Sequence, residues 1–123
     1  MARTQYISNV FLYGANEDKG YPFDEITVTI QAGMKSGSVL EVSGGKGVWL
    51  AAANAANATY VIVDTRADVD GGLSAGDHTL LVAARACGVG RNYLNYADAF
   101  DAGQLTTVES ALLAKGIKVE TQV

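Results

Sequence analysis

Between Asp24 and Asp64 the chain alternates short β-branched runs with glycine turns, a pattern that a helical bundle cannot accommodate. In Glu25–Ile30, Ile26, Val28 and Ile30 share one face and Glu25, Thr27 and Thr29 the other. That is the period of a half-buried strand. Gly33 and Gly37 mark a turn, and Ser38–Val42 is a second strand. Ser43–Gly47 reads as a hairpin turn returning through Val48–Leu50. Thr59–Asp64 is apolar at most positions, which predicts a strand buried on both faces.

The pieces between and after these strands are less regular. Ala51–Ala58 mixes helix-favouring alanine with Asn54 and Asn57, which favour turns. We expect mostly loop there, with at most a helical turn. Thr65–His78 reads as a polar loop, and Thr79–Gly90 as one long strand bent at Gly88. A capping box at Thr106 and Glu109 predicts one late helix, about 106–115. Val108, Ala111 and Leu112 form its apolar stripe, Lys115 extends it, and Gly116 ends it. Ile117 and Val119 then share one face of a closing strand. The expected class is mainly β (α+β): a compact β-rich domain over 24–123 behind an extended N-terminal arm over 1–23.

Within that arm, Gln5, Tyr6, Ile7, Val10, Phe11, Leu12 and Tyr13 combine apolar and aromatic residues without a helical or strand period. They are the expected contact surface for a partner. The plainer alternative is a frayed terminus or an extra edge strand. At 123 residues the chain is one domain's worth, able to hold a core without disulfides. Only 18% of residues are charged, which suggests a surface partly covered by a partner. The nine Lys and Arg are scattered and the net charge is −4, so no basic stripe points to nucleic acid. No apolar run is long enough for a membrane span, and the N-terminus lacks a signal-peptide pattern. We expect synthesis and folding in the cytosol.

Reactive groups are sparse. Gly44-Gly45-Lys46-Gly47 lacks the Ser or Thr and the following helix of a phosphate loop, and reads as a hairpin. Asp64, Asp68, Asp70 and Asp77 crowd one loop, but Asp68-Val69-Asp70-Gly71 copies only a fragment of a calcium loop. His78 and Cys87 are unique in the chain, too few for zinc, and Cys87 has the setting of a small buried thiol. The expectation is no catalytic residue, no metal and no cofactor. Trp49, Tyr93 and Tyr96 suit a stacking platform or, more often, core and subunit interface. Trp49 and Tyr93 are the candidates for a subunit interface.

A resemblance runs from Ile26 nearly to the end of the chain. Its pieces are Ile30-Gln31-Ala32-Gly33, Lys35-Ser36-Gly37-Ser38-Val39-Leu40, the glycine hairpin, and the alanine-rich bridge into Tyr60-Val61-Ile62-Val63-Asp64. Leu80–Ala86, the aromatic segment Asn92–Tyr96 and Leu113-Ala114-Lys115-Gly116-Ile117-Lys118-Val119 follow in order. This ordered set resembles the bacteriophage lambda-type head decoration (capsid cement) proteins. The resemblance implies a homotrimer on the outer surface of an expanded phage head. There it would bridge subunits of the major capsid protein against the pressure of packaged DNA, with the N-terminal segment ordering on the shell. The runner-up is a carbohydrate- or cell-surface-binding β module built on Trp49, Tyr93 and Tyr96. A third reading is a small hydrolase using His78 and Cys87.

Overall fold

The computed structural model describes residues 7–16, 20–68 and 73–121. Among these residues, eight strands and one α-helix follow in chain order: β1 (Phe11–Gly14), β2 (Phe23–Ile30), β3 (Val39–Ser43), β4 (Lys46–Trp49), β5 (Tyr60–Ile62), β6 (Gly76–Ala83), β7 (Cys87–Gly90), α1 (Ala102–Ala114) and β8 (Ile117–Glu120). The β-rich class with one late helix is borne out.

Five strands close a barrel in the order β2-β4-β3-β5-β6, with β6 pairing back to β2 along its whole length. The closure point is the parallel pairing of Val28 with Gly47. A Cβ on Gly47 would come within 3.1 Å of both Ile26 and Leu40. The last glycine of the hairpin therefore lets two strands meet at the barrel seam. The turn itself is Gly44-Gly45, both at positive φ, which suits the tight two-residue hairpin between β3 and β4.

The remaining strands form a second sheet, β1-β7-β8, with β1 antiparallel and β8 parallel to β7. Side chains alternate between two cores. Val28, Ile30, Leu40, Ile62, Leu80 and Val82 fill the barrel. Val39, Val61 and Val63 face the other way, into a core shared with Phe11, Val89, Val108, Leu112 and Ile117. This is why Val61-Ile62-Val63 is apolar throughout: the strand is buried on both faces.

Two local expectations are corrected. Thr79–Gly90 is not one strand but two, β6 and β7, in different sheets. The chain turns at Ala86, whose φ of 51° is left-handed, while Arg85 swings to Asp24 and to the Tyr21 carbonyl. The helix begins at Ala102, four residues before the expected start. Asp101 is its N-cap: the Gln104 N–H donates to Asp101 Oδ1 at 2.7 Å, and Gln104 Oε1 accepts from the Asp101 N–H at 2.9 Å. Thr106 lies inside the helix, where its hydroxyl donates to the Ala102 carbonyl at 3.0 Å. Gly116 ends the helix at φ 87°, as expected. The alanine bridge is a pair of 3-10 turns over Ala52–Asn57, kinked at Asn54.

Candidate functional site: a groove beside the N-terminal segment

The N-terminal segment is stitched to the body from its first described residue. Ile7 bridges antiparallel to Asp64, and the Ser8 N–H donates to the Val63 carbonyl at 2.8 Å. Val10 and Phe11 are 2% and 0% exposed. The Phe11 ring packs on Phe23 with centroids 4.7 Å apart. Residues 7–14 are therefore not a detached arm; Phe11–Gly14 is the edge strand of the second sheet. Val10 and Phe11 cannot offer their side chains to a partner while they fill the core, which corrects that part of the expected contact surface. Ile7 and Leu12 are half-buried, Tyr13 is exposed, and Gln5 and Tyr6 lie outside the described residues.

Asp64 anchors this segment from below. Its carboxylate is fully buried and accepts from the Leu81 N–H at 3.0 Å and the Arg66 N–H at 2.9 Å. The Arg66 guanidinium donates to both oxygens, Nε to Oδ1 at 2.9 Å. Burial alone would raise the Asp64 pKa, but donation by the Arg66 side chain and the two amides outweighs it. The net effect holds Asp64 below the usual carboxylate range.

The Lys35-Ser36-Gly37-Ser38 turn sits next to this anchor. Its backbone is held on one side by Gly37 N–H to Ile62 O at 2.7 Å and on the other by Asn95 N–H to Gly37 O at 2.9 Å. The Ser36 N–H and hydroxyl both donate to Asp68, at 2.9 and 2.5 Å. Gly37 adopts φ 92°, and a Cβ there would fall 1.9 Å from the Tyr93 carbonyl oxygen. Only glycine lets the turn approach the Arg91–Tyr93 segment this closely.

Between these elements runs an open groove of about 410 Å³. Ile7, Asn9 and Val10 form one wall, Lys35 and Ser36 another, and Thr65, Asp68 and Tyr93 complete it. The fold thus joins three stretches that the sequence offered separately: the N-terminal residues, the Lys35-Ser36 turn and Tyr93. Nothing in the spacing of residues 7, 35, 68 and 93 signals this neighbourhood, because it depends on barrel closure. Tyr93 is 42% exposed. Trp49 is half-buried against the barrel core and aims its Nε1 at the Asn95 carbonyl, 3.4 Å away. Tyr96 stacks on Phe100 at 4.3 Å, and burial pushes its hydroxyl up to about 12. Of the three rings considered for a stacking platform, two are engaged in packing.

The remaining candidates do not assemble into a reactive site. His78 lies on β6 in the barrel and Cys87 on β7 in the second sheet. The Cys87 thiol is buried, and desolvation pushes it up to about 12, so it is protonated at neutral pH. His78 Nε2 lies 2.8 Å from the Ser74 carbonyl. Asp64, Asp68 and Asp77 are each taken by separate partners, Asp77 by Lys46 and Thr29, while Asp70 and Gly71 lie outside the described residues. Among the described residues no His, Cys, Asp and Glu cluster suits a metal ion, and no helix is long and apolar enough to cross a membrane.

A model of the bacteriophage PhiTE minor capsid decoration protein family matches residues 3–123. The chain belongs to that family. Nothing among curated proteins or solved structures matches it. The resemblance to phage head decoration proteins is borne out at this level. A capsid decoration protein is a structural component that binds the capsid, and its place is the virion.

Proposed function

We propose that this protein coats the outer surface of the expanded phage head as a homotrimer. It bridges neighbouring subunits of the major capsid protein, stabilises the shell against the pressure of packaged DNA, and carries out no catalysis. It is made in the host cytoplasm and ends on the virion exterior. The observation that carries this reading is the capsid-decoration family match across 3–123. The engaged carboxylates and the protonated, buried Cys87 thiol support a structural role. A trimer adds avidity, because a second and third contact form at high local concentration.

In this reading the N-terminal segment contributes to the shell contact in two ways. Val10 and Phe11 anchor it, and the flanking Gln5, Tyr6, Ile7, Leu12 and Tyr13 meet the shell. The test mixes purified protein with expanded heads lacking it, images them by electron microscopy, and measures the free protein's mass. A trimer that decorates heads and raises their resistance to heat supports the reading; a monomer that leaves heads bare sinks it. Deleting residues 2–6 spares the Val10 and Phe11 anchor and should weaken decoration without unfolding the protein. Deleting 2–14 would remove core residues and test folding instead.

A further inference from the structure

We propose that Asp64 is a positioning residue for the shell contact: its buried carboxylate fixes the strand end from which the N-terminal segment takes its register. The inference rests on the reading that the residues flanking Val10 and Phe11 meet the shell. Among the described residues, Asp64 is the one charged side chain that is fully buried. It follows Val61-Ile62-Val63, in which every side chain faces a core. An apolar residue would extend that packing without the cost of burying a charge. A carboxylate does what an apolar side chain cannot: it demands particular donors and so fixes one arrangement.

Those donors lie where the β5–β6 ladder runs out. Ile62 pairs with Val82, and the Val63 N–H still donates to the Leu81 carbonyl at 3.2 Å. The Leu81 N–H then goes to the Asp64 side chain, and Arg66 holds the same carboxylate from the following turn. The strand end is thereby locked between β6 and the Thr65–Asp68 turn. Ile7 pairs with Asp64 and Ser8 with Val63, so the N-terminal segment reads its register from these two residues. Val10 and Phe11 are secured separately, by the second core and by the Gly90 N–H to the Val10 carbonyl. A two-residue pairing has little register of its own, and a slip of one residue turns each side chain to the opposite face. Residues 2–6 continue from this pairing. Loosening the strand end therefore lowers the fraction of molecules that present them correctly to the shell, and the apparent affinity falls with that fraction.

Asp64→Asn tests the carboxylate, because its amide offers one acceptor oxygen and sets an NH2 group against donors. Wild type, Asp64→Asn and Asp101→Ala are titrated onto expanded heads lacking the protein, each as the full chain and without residues 2–6. Asp101→Ala destabilises through the cap of α1 and serves as the control for lost stability. In the full chain Asp64→Asn should bind heads about tenfold more weakly, with Asp101→Ala near wild type. Without residues 2–6 the Asp64→Asn penalty should vanish. Amide exchange at Ser8, whose N–H donates to the Val63 carbonyl, should speed up about tenfold in Asp64→Asn and stay unchanged in Asp101→Ala. A penalty of equal size with and without residues 2–6 makes Asp64 a residue of the general fold and overturns the proposal. So does wild-type affinity in full-length Asp64→Asn. Heads bound equally well with and without residues 2–6 overturn it too, and leave decoration standing. Wild-type protein that ignores the heads takes down both readings. Should the shortened chain not bind at all, the Ser8 exchange rates decide, and equal rates in the two variants overturn the proposal. Should Asp64→Asn fail to fold in a thermal melt, Ser8→Pro removes the tether to Val63 and leaves the carboxylate in place. It should then weaken binding in the full chain and not in the shortened one; an equal loss in both overturns the proposal.

Discussion

The Tyr13 ring lies directly over Gly88: a Cβ on Gly88 would sit 2.5 Å from Tyr13 Cε2 and Cζ. The Tyr13 hydroxyl reaches past this glycine, across β7, and donates to Glu120 on β8. One side chain thus fastens the edge strand β1 across the whole second sheet. Gly88 is not at positive φ, so an alanine there meets a steric obstacle and no backbone strain. The obstacle is a half-exposed ring that can swing away. Gly88→Ala should therefore cost only about 1–2 kcal/mol. The decisive measurement is a double-mutant cycle by urea unfolding. With Tyr13→Ala already present, Gly88→Ala should become neutral or stabilise by up to about 1 kcal/mol. A cost unchanged by Tyr13→Ala would show that the ring is not what Gly88 accommodates.

Asp64 predicts how stability follows pH. Its folded-state pKa lies below the ordinary value of about 3.9, so the unfolded chain binds its proton first as pH falls. The stabilisation is complete above that unfolded value and is lost as pH drops through the folded one. Asp77 is shifted the same way by Lys46 and Thr29, but it is exposed and its share should vanish in high salt. Asp64 is buried and its share should persist. Asp64→Asn keeps one acceptor but loses the ion pair with Arg66, and should cost about 1–3 kcal/mol at pH 7. Its stability should also fall less than wild type's between pH 5 and the acid limit. Parallel pH profiles for the two proteins in 1 M salt would contradict this account.

The strands were legible because their signal is local: β-branched alternation, glycine turns, and a doubly buried run at Val61–Val63. The hairpin glycines mark a turn locally, yet Gly47 also closes a barrel, a long-range fact with no mark in its neighbours. The helix start is ambiguous in the sequence because Thr106–Glu109 and Asp101–Gln104 both fit a capping pattern, and Val108 and Leu112 are helical with either; the Asp101–Gln104 box forms where Gln104 Nε2 also donates to the Ala52 carbonyl at 3.3 Å, a long-range contact. The N-terminal residues looked aperiodic because the pairing of β1 with β7 shifts register between Phe11 and Tyr13. That irregularity erased the two-residue period and made a core strand resemble an arm. The groove was illegible for a different reason: its walls come from segments that meet only in the finished fold.

Two glycines with similar backbone angles should respond very differently to substitution. Gly37 (φ 92°) and Gly44 (φ 60°) are both left-handed. Nothing lies within 4 Å of a Cβ on Gly44, so Gly44→Ala meets only the backbone penalty, about 1 kcal/mol. At Gly37 the Cβ would overlap the Tyr93 carbonyl oxygen, a backbone atom that cannot rotate aside. Gly37→Ala should cost at least about 3 kcal/mol and loosen Tyr93 from the Lys35–Ser36 turn. Thermal melts of the two variants make the comparison. Amide hydrogen exchange at Asn95, whose N–H donates to the Gly37 carbonyl, should speed up only for Gly37→Ala. Equal losses at the two sites would mean that the turn does not depend on this close approach.

The two capping patterns give the last prediction, because only one of them operates. The Asp101 carboxylate accepts from Gln104, and the Gln104 side chain accepts from Asp101 in return, so both ends of that box are occupied. Asp101→Ala leaves the Gln104 N–H without its partner and removes a negative charge from the positive end of the helix dipole. It should cost about 1 kcal/mol. Thr106 instead returns its hydroxyl to the Ala102 carbonyl, a bond that competes weakly with the helix's own ladder. Thr106→Ala replaces a poor helix former with the best one and should be neutral or stabilise by about 0.5 kcal/mol. Asp101→Asn separates the two contributions at the cap: it keeps the acceptor and removes the charge, so its cost should fall between zero and that of Asp101→Ala. Urea unfolding of the three variants would refute the Asp101 cap if Thr106→Ala proved the most damaging.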